Sequence, residues 1–282
     1  MTASVLGELI ERVTGLALNR GGISNTLDRV VSDRMRLLGL TRLEDYLIRI
    51  ADPTSPEHRN LIDEITVPHT WFYRDGEQLQ AVAQLIRNAP AGKVSVWTAG
   101  CATGEEAYTL AMIGRAVGRD VAVVATDVNE RALAAARRAI YKAGAVRDVP
   151  DPERRWLIRR DDTFEVDPAI RDQVTFSRHN LVDAPPLAPR GGWDVIVCRN
   201  VLIYFSAAAS TRVLGWFARA VREGGWIVLG ASEVVVEPPP GLELVSSGNR
   251  LVLRRPQLNP PPATPPTAPS LGRITGQLAA VV

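Results

Sequence analysis

From Lys93 onward the chain alternates short apolar runs with stretches of helical periodicity, and that alternation leaves few folds open to it. The runs are KVSVWTAG, VAVVATDV, QVTFSRHN, DVIVCRNV and GWIVLGAS, followed by LELVSS and RLVLRR. Helical stretches intervene at Glu105–Val117, Glu130–Ile140 and Ala208–Val221. Strands joined by crossover helices lie parallel, with right-handed connections. The pattern therefore predicts an α/β fold whose sheet is doubly wound, mainly parallel and seven-stranded. Ligands in such sheets bind at the carboxyl ends of the strands. Several prolines and charges break the rhythm over Gly144–Asp172, which reads as an inserted subdomain with a small hairpin around Arg160–Val166.

Before this region the apolar residues recur at helical spacing: Leu6, Leu9, Ile10 and Val13, then Leu27, Val30, Val31, Met35 and Leu38. Breaks at Asn19–Gly22, Gly39 and Asp52-Pro53 divide this part into three short helices. After Arg255 half of the residues from Pro256 to Pro269 are proline, which neither helix nor sheet tolerates. The expected organisation is a helical N-terminal domain over residues 1–62, an α/β domain over 63–255 containing the insertion at about 144–172, and a proline-rich linker or tail over 256–282. The apolar end at Leu278–Val282 is suited to begin a further element.

Composition narrows the class. A chain of 282 residues that is 46% hydrophobic can bury one substantial core. No apolar run approaches the roughly 20 residues that span a bilayer. Glu8, Glu11 and Arg12 interrupt any signal-peptide core, so a cytoplasmic location without membrane insertion is expected. Two cysteines, Cys101 and Cys198, make no disulfide framework and read as buried thiols. His58, His69 and His179 lack metal-ligand spacing, so no metal is expected. A net charge of +2 argues against non-specific nucleic-acid binding.

Four places carry chemistry. Gly100 to Gly104 form a turn of small residues between a strand and a helix opening with Glu105 and Glu106, where a nucleoside can approach the backbone. The spacing is not GxGxxG, and acids at the helix start repel a pyrophosphate while favouring a cationic ligand such as a sulfonium nucleoside. About twenty residues on, Asp127 ends the next strand, placed to accept both ribose hydroxyls; Asn129 is better placed to cap the helix that follows. Two later strands end in Asn180-Leu181 and Asn200-Val201, and asparagine offers donors and acceptors to adenine or an amino acid.

The motifs ITVPHTWFYRD, TAGCATGEEAYTLAM, ATDVNERALAAARRAIY, FSRHNL and WDVIVCRNVLIYF resemble, in this order, those of the CheR-type chemotaxis receptor glutamate methyltransferases. The resemblance runs from about Leu6 to Arg254 and includes LGLTRLEDYL in the helical part. It implies a methyltransferase sheet with a small antiparallel β insertion, S-adenosylmethionine as cofactor and S-adenosylhomocysteine as product. The acceptors it implies are glutamate side chains in the cytoplasmic helical region of a chemotaxis-type receptor; a monomer is expected. Carried over residue by residue, the cofactor is held by Thr70, Arg74, Glu105, Asp127, Asn180, Leu181, Asn200 and Val201. Either carboxylate of Glu105-Glu106 can reach its amino acid, and Glu105 is the one carried over. Pro68 stands where some members have a polar contact, and Phe72-Tyr73-Arg74 where Phe-Phe-Arg is more usual.

A glutamate carboxylate, with an ordinary pKa of about 4.3, is already a nucleophile at neutral pH and needs no general base. Orienting groups are then the expected catalytic residues, and Arg74 and Tyr204 suit that role. Arg29, Arg34, Arg36, Arg42 and Arg49 offer a basic helical face to an acidic helix. The short, glycine-free loop Arg160–Thr163 argues against tethering of a receptor's C-terminal peptide by the insertion. Rival readings are methyl transfer to a non-receptor protein or small molecule, a non-catalytic binder of the same cofactor, and an NAD-dependent oxidoreductase.

Overall fold

The computed structural model describes residues 2–17, 23–189, 191–233, 235, 237–247 and 250–257. The break at Asn19–Gly22 and the body of the proline-rich segment, residues 258–282, lie outside them.

Four helices come first: α1 (Thr2–Thr14), α2 (Ile23–Leu37), α3 (Leu43–Ala51) and α4 (Pro56–Ile65). The sequence suggested three. The fourth is built by a Ser55 cap, whose hydroxyl accepts from the Glu57 N–H, with Pro56 at the first helical position. Because α4 runs to Ile65, residue 62 falls inside it. Helix α5 (Gly76–Arg87) leads to the α/β part, made of β1 (Val94–Ala99), α6 (Glu105–Ala116), β2 (Val121–Asp127), α7 (Glu130–Arg138), β3 (Ile140–Lys142), β4 (Leu157–Arg160), β5 (Thr163–Val166), α8 (Pro168–Arg171), β6 (Val174–Arg178), β7 (Trp193–Cys198), α9 (Ala207–Ala220), β8 (Val221–Leu229), β9 (Glu243–Ser247) and β10 (Arg250–Arg254).

The main sheet has seven strands in the order β6-β2-β1-β7-β8-β10-β9. Its first five run parallel, and β10 lies antiparallel to both β8 and β9. A separate antiparallel sheet, β3-β5-β4, forms the insertion. It opens at Ile140, four residues before the expected start, because the last α7 residues pass directly into its edge strand.

Alternate residues of β1 enter two different cores. Val94 and Val96 pack with α5 and α6, while Trp97 and Ala99 face α9 and the N-terminal helices through residues such as Leu6, Ile10 and Ile65. Both faces are therefore covered, which explains why β1 reads as a continuous apolar run. Each fully buried large side chain contributes about 1.5–3 kcal/mol. Strand order reverses between β1 and β7, whose neighbours lead away on opposite sides, and the crevice of a doubly wound sheet opens at that point.

Candidate active site

A cleft lies over the carboxyl ends of β1, β2, β6 and β7. Of the residues singled out from the sequence, Thr70, Arg74, Asp127, Asn180, Leu181, Asn200, Val201 and Tyr204 all line it. Glu105 does not; Glu106 stands in the wall instead.

The floor is the turn after β1. Gly100 has φ +86°, and a Cβ there would meet Val201 Cγ2 at 2.5 Å. Gly104 has φ +92°, with Ala136 Cβ 2.7 Å from where its own Cβ would stand. Both the left-handed backbone and the close approach demand glycine. Asp127 braces this turn: Oδ2 accepts the Ala102 N–H at 2.8 Å and Oδ1 the Asn129 N–H at 2.9 Å. Burial raises the Asp127 pKa, against the lowering effect of those N–H groups. Asn129 caps α7, its side-chain oxygen accepting from the Ala132 N–H at 2.9 Å.

The two acids opening α6 separate. Glu105 is buried, hydrogen-bonded by the Thr103 hydroxyl at 2.6 Å, and burial pushes its pKa up to about 7. Glu106 accepts from the Thr98 hydroxyl at 2.6 Å and from Arg199 Nη1 at 3.0 Å. Neither is the free negative charge expected from the sequence at this helix start: one is desolvated and the other is neutralised by Arg199.

Arg199 gave no signal in the sequence beyond its place beside Asn200. Its guanidinium is almost wholly enclosed, donating to Gln78 Oε1 (3.0 Å), Glu106 Oε2 (3.0 Å), the Arg74 carbonyl (2.6 Å) and Asp75 Oδ2 (3.2 Å). One side chain thus ties the tip of β7 to the starts of α5 and α6 and to the backbone of Arg74. Arg74 itself stacks on Trp71, 4.7 Å from the ring centroid, and donates Nη1–H to the His69 carbonyl at 3.1 Å. Its buried Nε has no hydrogen-bond partner. With only an ion-pair contact to Asp75 Oδ2 at 3.9 Å, that donor suits a carboxylate.

The remaining wall comes from β6, β7 and the N-terminal segment. Asn180 donates from Nδ2 to the Val13 carbonyl at 2.7 Å, and Leu16 forms a bridge with Phe205. The Ala17 N–H donates to the Tyr204 carbonyl at 2.8 Å, and the Ser206 N–H to the Gly15 carbonyl at 3.0 Å. Thr14 and Leu16 consequently line the cleft. His179 lines it too, with burial lowering its pKa and Nε2 unpartnered. Cys101 and Cys198 are buried, and burial pushes both thiols well above their ordinary value.

Comparison with known proteins supplies the family. Residues 68–249 match the model described as CheR methyltransferase, SAM binding domain. The chain belongs to the CheR methyltransferase family. Relatives include a chemotaxis protein methyltransferase of Listeria innocua, 35% identical over 63% of this chain and 71% of that protein. One of Klebsiella aerogenes is 32% identical over 81% of each. An uncharacterized 104.1 kDa protein of Rhodobacter capsulatus is 33% identical over 88% of this chain, which spans 27% of that protein's length. The cofactor of this CheR-family methyltransferase is S-adenosylmethionine. The cleft fits it: Gly100 floors it, and hydroxyl, carboxylate, amide and guanidinium groups surround it. No helix among the described residues is long and apolar enough to cross a membrane.

Of the arginines expected to form a docking face, Arg34 is committed inward. Its Nη2 lies 2.6 Å from Glu57 Oε2 and its Nε 2.9 Å from Oε1, with the Tyr46 hydroxyl donating to the same carboxylate at 3.0 Å. Burial made this pairing obligatory, and a helical pattern of charges does not distinguish it from a solvated face. Arg36 pairs with Asp33 on the surface.

Proposed function

We propose that this CheR-family chain methylates glutamate side chains in the cytoplasmic helices of a chemotaxis-type receptor, forming methyl esters. The observation that carries the reading is the Arg74 guanidinium in the cleft, fixed against Trp71 with its Nε making no hydrogen bond, because it offers a positioned cationic donor to a carboxylate. The names of the Listeria and Klebsiella relatives support a role in chemotaxis.

Thr70, Arg74, Asp127, Asn180, Leu181, Asn200 and Val201 would hold the cofactor. Asp127 lines the cleft and, beyond the backbone N–H groups it already accepts, keeps acceptor capacity for a ribose hydroxyl. Bound there, S-adenosylmethionine supplies a methyl group activated by a sulfonium centre. The residues of the chain then have positioning to do rather than proton transfer, since the acceptor is already ionised near neutral pH. Arg74 orients the acceptor carboxylate, with Trp71 fixing the plane of its guanidinium and Arg199 fixing its backbone. Tyr204, held through its carbonyl by Ala17, closes the wall beside the acceptor and excludes water.

The test is transfer of label from tritiated S-adenosylmethionine to membranes carrying chemotaxis-type receptors of the same source. Label on receptor that is released by mild base, as a methyl ester requires, is expected. Arg74→Ala is expected to retain the fold and lower the rate roughly 100-fold or more, the scale of a lost orienting group. Base-stable label, label on another acceptor, or near-normal turnover of the variant would refute the reading.

A further inference from the structure

We propose that Glu233, which follows β8, is a positioning residue for methyl transfer: its carboxylate fixes the backbone of Asn200–Leu202, which forms the β7 wall of the cleft. The inference rests on the reading above of that wall as part of the cofactor site. Glu233 Oε1 accepts the N–H groups of Val201 at 2.7 Å and Leu202 at 2.6 Å. Oε2 accepts those of Asn200 at 3.0 Å and Gly230 at 2.5 Å. Four N–H donors fill the roughly four acceptor sites of a carboxylate. Three of them are consecutive, so the chain beyond β7 is wrapped around one anion.

This wrapping explains the backbone there. Asn200 has φ +60°, a left-handed conformation that asparagine tolerates better than most residues but adopts at some cost. Convergence of three N–H groups on a single carboxylate offsets that cost and selects this turn, which water molecules, free to bind each N–H separately, do not do. Two site features follow from the turn. Val201 is set against Gly100 so closely that no Cβ fits between them, locking the β7 wall to the floor. Tyr204, three residues on, is brought to the rim where Ala17 holds its carbonyl. Gly230 completes the arrangement, since a Cβ there would lie 2.7 Å from both the Asn200 nitrogen and Glu233 Oε2. Glu233 is absent from the cleft lining, so it acts through Asn200–Leu202 rather than by touching the cofactor.

The experiment begins with the unaltered protein. Backbone amides of Asn200, Val201 and Leu202 are expected to exchange slowly with deuterium although they lie beyond the end of β7; exchange at open-loop rates overturns the proposal. Glu233→Gln keeps the shape but turns an amide NH2 toward N–H donors. It should speed exchange over 200–204 and weaken S-adenosylhomocysteine binding about tenfold, on the scale of one or two lost charge-assisted bonds. KM for receptor should change less than about twofold, a split that general destabilisation does not produce. Glu233→Asp, which retains the charge, should fall between the two proteins, and it carries the test if Glu233→Gln does not fold. Asn200→Ala serves as the control for the cofactor reading. Weaker binding in Asn200→Ala with normal binding in the Glu233 variants overturns the clamp alone, whereas normal binding in all of them overturns the cofactor reading with it.

Discussion

The two sides of the cleft are organised differently. On the β2 side the partners are backbone and neutral groups: Asp127 accepts the N–H of Asn129 and that of Ala102 in the neighbouring turn, and Asn129 caps its own helix while its amide donates to the Asp63 carbonyl and the Thr66 hydroxyl. On the β7 side an enclosed cation and a carboxylate do the joining. Arg199 is held by Gln78, Asp75 and Glu106, and the Asn200 turn by Glu233, 33 residues ahead. A side joined through backbone and neutral partners survives loss of a single one, since its backbone is also set by the sheet and the glycines. A side assembled around enclosed ion pairs depends on each of them.

The sharpest way to break this comparison is Arg199→Ala. Removing a guanidinium whose side chain is 2% exposed leaves Glu106 without its cation, and breaking a buried pair from one end costs about 3–5 kcal/mol. Urea unfolding should report a loss of that size. A loss under about 1 kcal/mol would mean that the β7 side is no more dependent on remote charge than its counterpart.

Glu105→Gln probes the floor between the two sides. Burial raises the Glu105 pKa from its ordinary 4.5 to about 7. Between those values the folded chain holds a proton that the unfolded chain has released. The associated stability is therefore complete below the ordinary value and is lost as pH rises through about 7. Relative to wild type, Glu105→Gln should gain up to about 3 kcal/mol between pH 4.5 and 7.5 in paired denaturant titrations. Parallel curves for the two proteins would show that Glu105 is not desolvated.

The smallest effect is expected from Asn180→Ala, which removes one amide-to-carbonyl bond between β6 and the end of α1. A loss of about 1 kcal/mol is expected, with faster proteolysis confined to the first 17 residues. Unchanged proteolysis would show that α1 is fixed without this bond.

The same division explains what the sequence revealed. All seven strands of the main sheet were legible, and β1, covered on both faces by helices, shows as an unbroken apolar run. Asp127 and the glycine turn stood out because an acid at a strand end and a run of small residues between strand and helix are marked by their immediate sequence. Arg199 and Glu233 were invisible, since nothing local distinguishes a charge that bridges distant segments from one facing solvent. Glu105 and Glu106 were separable only in three dimensions: one packs toward Thr103 and the other meets Arg199. Helix α4 was missed because Asp52-Pro53 reads as the end of helical structure, while Ser55-Pro56 three residues later starts a new turn.

The short pairing of Gly15–Ala17 with Tyr204–Ser206 has a consequence for how this family can diversify. The segment leaving the first helix is itself part of the rim, and Thr14 and Leu16 line the cleft. Grafting the helical portion of one relative onto the α/β portion of another would therefore transplant a strip of the chamber along with whatever the helices recognise, so acceptor choice and chemistry are inherited together at this seam.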